Sequence, residues 1–128
     1  HQKDELNGGG VVGTVMTNRG LELCLRDAGL ALHRANVGDR YILEMMRSGG
    51  FNLGGEPSGH ILMTHLARSG DGLLASMQML ALMQQAEQPA NVFFNSFGTP
   101  VGLTPGIKCE LKFFLSFIFA ARYQSCHP

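Results

Sequence analysis

The chain has 128 residues, enough for one domain of ordinary size and too few for two full ones. Hydrophobic residues make up 45% and charged residues 16%, so the chain can build a core, which excludes global disorder. Ten Lys and Arg balance ten Asp and Glu for a formal net charge of +0, which argues against a mainly electrostatic partner such as nucleic acid or an anionic membrane.

The first nine residues carry no apolar signal core and read as a disordered or linker segment, with Gly8-Gly9-Gly10 as a flexible lead-in. The KDEL string at 3–6 is not C-terminal and cannot serve as a retention address. Val11, Val12, Val15 and Met16 predict a short buried strand. Asn18 is placed to cap a helix on which Leu21, Cys24, Leu25 and Ala28 share one face, and Gly29 suits its C-terminal cap. Residues 30–37 predict a second strand. Asp39 is placed to cap a second helix with Ile42, Met45 and Met46 on one face, and Ser48-Gly49-Gly50 stops it.

Residues 51–54 and 60–64 predict two more strands joined by a glycine-bearing loop. Asp71 is placed to cap a third helix, which runs to about Glu87 and ends before Pro89. Its Leu73, Leu74, Met77, Met79, Leu80, Leu82 and Met83 cover most faces, so it is expected to be buried. The order β-α-β-α-β-β-α defines an α/β fold, a three-layer α/β/α domain over 10–88 with a small mixed sheet. Residues 89–128 break the pattern and read as an irregular, divergent tail. The apolar run at 113–121 falls far short of the roughly 20 residues a membrane-spanning helix needs. Cys24, Cys109 and Cys126 form no CxxC pair, which favours a reducing cytoplasm over a disulfide framework or a structural zinc site.

The string Gly54-Gly55-Glu56-Pro57-Ser58-Gly59-His60 carries the most chemistry, with a carboxylate, a hydroxyl and an imidazole close together. Pro57 keeps Glu56 out of the helical region, in an extended presentation. Glu56 can accept from two hydroxyls and Ser58 can donate or accept, which suits a ligand with vicinal OH groups. Hydrogen bonds to a charged group contribute about 1.5–3 kcal/mol each, so Glu56 is the expected anchor and Ser58 the orienting partner. On composition alone, an ordinary tight turn with a solvated glutamate is the competing reading.

GGEPSGH is similar to the sugar-recognition loop, GGE-x-SGH, of the α-D-phosphohexomutase superfamily. VVGTVMTNRGLEL resembles the first strand, loop and helix of that superfamily's third domain in its phosphoglucosamine branch. VGDRYILEMM resembles the second strand–helix junction, and SGDGLLASMQMLALM the helix after the sugar loop. The blocks cover residues 10 to about 86 in the expected order.

The resemblance implies a domain of an enzyme that interconverts the 6-phosphate and 1-phosphate of glucosamine through a phosphoserine and a bisphosphate intermediate, with magnesium stabilising the transferring group. It assigns substrate contacts to Glu56 and Ser58, with His60, Gly55 and Gly59 beside them, and makes Asn18 and Arg40 candidates at neighbouring strand ends. Asp39 beside Arg40 reads equally as a helix cap. No catalytic residue and no magnesium ligand is expected in this chain, because the family's phosphoserine, metal and phosphate-clamping loops match nothing in it. The implied partners are a phosphorylated hexosamine and further domains of the same protein, with no nucleic acid and no membrane. The chain alone is expected to lack mutase turnover.

Two alternatives remain open: a phosphomannomutase or phosphoglucomutase domain, and a stand-alone carbohydrate-binding module. Other patterns are weaker. NGGGVVGT has its glycines before the strand, where a dinucleotide fingerprint needs them after it. His60 and His65 do not share a helical face, so a metal pair is disfavoured, and His33 reads as a strand residue. Asp71 is a single acid and makes no magnesium site. Ser58 is not in a GxSxG setting, and His60, two residues on, is expected on the opposite side of the chain from it.

Overall fold

The computed structural model describes residues 6–85, 87 and 89. The tail and the first five residues lie outside the described residues. The chain divides after Gly72 into two compact units.

The first unit is an α/β fold around a four-stranded mixed sheet of order β2-β1-β3-β4. β1 (Gly10–Thr14) is buried throughout. It runs parallel to β2 (Ala31–Ala35), from Gly10 opposite Ala31 to Thr14 opposite Ala35. On its other edge it runs parallel to β3 (Leu53–Gly55) through Val12 and Gly54. β3 turns back antiparallel into β4 (Ile61–Met63). α1 (Arg19–Asp27) crosses from β1 to β2, and α2 (Asp39–Gly49) crosses from β2 past β1 to β3. The two crossovers run across the sheet in opposite directions, so right-handed connections put the two helices on opposite faces of the sheet.

The core follows that arrangement. Val12, Ala35, Ile42, Met46, Phe51 and Leu62 form one buried cluster on the α2 face. Val11 alternates to the other face, which α1 covers with the buried Leu21 and Leu25. Burying each large side chain contributes about 1.5–3 kcal/mol. Asn18 caps α1 through its side-chain oxygen, which accepts from the Gly20 amide, and Gly29 follows α1 with positive φ. Gly50 closes α2 in the left-handed region, its amide donating to the Met46 carbonyl.

Three expectations about the first unit are corrected. The first strand ends at Thr14, not Met16, and Val15 and Met16 are exposed. Local hydroxyls outcompete the strand here. The Thr14 amide donates to Thr17 Oγ1 at 2.8 Å, the Thr17 amide to the Thr14 carbonyl at 2.9 Å, and the Met16 amide to Thr14 Oγ1 at 3.2 Å. The glycine lead-in is ordered: Asn7–Gly9 form a 3-10 turn, the Asn7 amide donates to Asn52 Oδ1 at 2.9 Å, and Gly10 belongs to β1. The cap of α2 is Gly38, whereas Asp39 is its first residue and accepts from the Arg40 amide at 2.7 Å. A carboxylate in that first turn still complements the helix dipole.

The second unit contributes α3 (Gly72–Gln85), which Asp71 immediately precedes. It is not the buried helix expected, since Leu73, Met77 and Leu80 are exposed. Among the described residues, no helix is long and apolar enough to cross a membrane.

Candidate functional site

Residues 56–60 form the loop of the β3–β4 hairpin, directly after the Gly55–Ile61 pair. The Glu56 amide donates to the His60 carbonyl at 3.1 Å, and the Gly59 amide to the Glu56 carbonyl at 3.0 Å. The second bond closes a β-turn with Pro57 at its first corner, where a fixed φ is favoured. Gly59 then takes φ +98, which side chains with a Cβ rarely adopt. This backbone brings the side chains of Glu56, Ser58 and His60 into contact.

His60 Nδ1 lies 2.7 Å from Glu56 Oε1 and 3.1 Å from Ser58 Oγ. With Nδ1 donating to the carboxylate, the second ring nitrogen, Nε2, belongs to a side chain that is 63% exposed. The Glu56 carboxyl is held below its ordinary range, first by the His60 hydrogen bond. Burial opposes this, while the Ser58 hydroxyl and the Gly38 backbone reinforce it. The cluster is therefore an ionised acid braced by an imidazole and a hydroxyl, not a nucleophile with its base.

Two details differ from the expectation. Ser58 and His60 share one side, because positions two apart along extended chain point the same way and the turn keeps them together. Glu56 is folded back under the loop, with only 7% of its surface exposed, while Ser58 and His60 face outward. Gly55 sits at the end of β3 and Gly59 in the loop. Asn18 is engaged as the cap of α1, and Arg40 is exposed at the start of α2. Among the described residues, neither makes a hydrogen bond to Glu56, Ser58 or His60.

Sequence reasoning missed Arg34, which gathers backbone carbonyls from the loop after β1. Its partners are remote in sequence, and no local pattern announces them. Among the described residues, no group of three His, Cys, Asp or Glu could hold a metal ion. Cys24 is half-buried, and burial pushes its thiol up, away from reactivity.

The acid, hydroxyl and imidazole thus sit on a hairpin beside the carboxyl ends of parallel strands in an α/β domain, the end at which open α/β sheets form ligand crevices. Residues 1–99 match the family described as Phosphoglucomutase/phosphomannomutase, alpha/beta/alpha domain III. The chain belongs to that family. Curated relatives called phosphoglucosamine mutase include that of Roseobacter denitrificans, 57% identical over 96 residues, 75% of this chain and 21% of the relative. That of Rhodospirillum centenum is 58% identical over 92 residues, 72% of this chain and 20% of the relative. That of Caulobacter vibrioides is 48% identical over 97 residues, 76% and 22%. The chain thus spans about a fifth of the length of these relatives.

Proposed function

We propose that this chain is the sugar-recognition domain of a cytoplasmic phosphoglucosamine mutase, contacting glucosamine 6-phosphate and glucosamine 1-phosphate through residues 56–60. The observation that carries this reading is the contact of Glu56, Ser58 and His60 in one hairpin loop of a domain III fold. Ser58 and His60 offer an outward hydroxyl and imidazole to the ring hydroxyls. Glu56 supplies the negative charge behind them and accepts a ring hydroxyl when the imidazole turns aside. Both orientations of a bisphosphate intermediate present hydroxyls to this loop, so neutral and singly charged hydrogen-bonding groups suit it better than a fixed phosphate clamp.

Further domains of the same protein would supply the phosphoserine and the magnesium that stabilises phosphoryl transfer. Among the described residues, no group of three His, Cys, Asp or Glu fits that ion. The second reading is a phosphoglucomutase or phosphomannomutase domain, since residues 1–99 match a domain family named for those two activities.

The test is a titration of the ¹⁵N-labelled chain with glucosamine 6-phosphate, glucose 6-phosphate and mannose 6-phosphate. Amide shifts centred on residues 55–60, largest for the glucosamine ester and lost in E56Q, are expected. Stronger shifts with glucose or mannose phosphate would favour the second reading. Shifts that spare the hairpin would overturn both.

A further inference from the structure

Arg34 stands on β2 opposite Gly13 of β1. Its Nη1 donates to the carbonyl oxygens of Thr17 at 2.7 Å and Thr14 at 3.1 Å, with that of Val15 at 3.5 Å. Its Nη2 pairs with Glu22 Oε2 of α1 at 2.9 Å. Three carbonyls of one loop thus converge on a single planar cation. A guanidinium presents five donors in a rigid fork, and few other side chains can meet so many acceptors at once.

The loop so held leaves the carboxyl end of β1, the strand paired with β3, which leads into the candidate site. Val12 pairs with Gly54 in parallel register. Continued two residues along both chains, past the end of β3, that register would bring Thr14 alongside Glu56. β1 leads on into α1, whereas β3 returns through the hairpin, and ligands of open α/β sheets bind where adjacent strand ends diverge. The threonine hydroxyls already close the loop on itself. What Arg34 adds is a tie between that closed loop and β2, which fixes where the loop stands.

We propose that Arg34 is a positioning residue, whose guanidinium holds residues 14–17 as the wall of the crevice beside Glu56. The proposal rests on the sugar-phosphate reading only for the choice of probe.

The experiment compares the chain with R34K, R34Q and E22Q by amide hydrogen exchange and by titration with glucosamine 6-phosphate. In R34Q the amides of Val15, Met16 and Thr17 exchange about tenfold faster and the sugar phosphate binds about tenfold more weakly, the scale of one lost charge-assisted hydrogen bond. Amides of α2 and β3 exchange as in the unsubstituted chain. R34K recovers part of both losses, and E22Q, which leaves the carbonyl contacts in place, changes neither. Unchanged exchange in R34Q overturns the proposal, as does a loosened loop with unchanged affinity. If R34Q does not fold, R34K is judged by the same two readouts. If the unsubstituted chain gives no response to glucosamine 6-phosphate, the sugar-phosphate reading fails, and exchange alone then decides the role of Arg34.

Discussion

The 2.7 Å contact between His60 Nδ1 and Glu56 Oε1 couples the hairpin to acidity. The bond stabilises the ionised carboxylate, and the folded chain therefore binds its proton less readily than the unfolded chain, whose glutamates titrate near about 4.3. Between the two values the unfolded state carries more protons, so stability rises with pH. The contribution is fully present above the unfolded value and is lost as pH falls through the depressed folded one. E56Q keeps the shape and removes the titration. Urea unfolding of both proteins from neutral pH downwards should show the unsubstituted chain losing more stability than E56Q below about pH 4.3. Parallel losses in the two proteins would refute the coupling. These residues were recognisable in the sequence because they lie within one short string, whereas the depth of Glu56 and the shared side of Ser58 and His60 were not. Arg34 was illegible for the converse reason, since its carbonyl partners lie 17 to 20 residues away.

Among the elements, the helices were read most fully, because Leu21 and Leu25, or Ile42 and Met46, repeat at the helical period and are the residues buried. Ends were read less well: hydroxyl groups at Thr14 and Thr17 cut the first strand short, and Gly38 took the capping position expected of Asp39. The glycines of the hairpin divide by cause. A Cβ on Gly54 would come within 2.7 Å of Met46 Sδ, 2.8 Å of Ile42 Cγ2 and 3.0 Å of the Val12 carbonyl oxygen. The thioether can give way, but the β-branched isoleucine and the backbone of β1 cannot easily do so. On Gly59 a Cβ meets nothing within 4 Å, and only the φ of +98 resists it. G54A is therefore expected to cost about 2–3 kcal/mol by overpacking and G59A about 1 kcal/mol by backbone strain. Chemical denaturation would measure both. A G59A cost equal to or above that of G54A would show that α2 does not press on β3 as described.

For the molecule as a whole, the order of elements in the first unit was readable from alternating periodicities, but the environment of α3 was not. A helix apolar on most faces predicts burial, and periodicity alone cannot say what buries it. Leu73, Met77 and Leu80 recur at four and three residues along one side of α3, and they are 74%, 59% and 63% exposed. Contiguous apolar surface of this kind drives association in water. The relatives are about five times as long as the matched segment. In isolation the stripe should meet itself. Sedimentation velocity of the chain is expected to show a coefficient that climbs with protein concentration. The variant L73Q/M77Q/L80Q keeps good helix formers at each position and removes the apolar side chains, so its coefficient should be nearly constant. A concentration-independent monomer for the unsubstituted chain would show that the stripe is too small or too divided to associate. An unchanged dependence in the variant would place the sticky surface elsewhere.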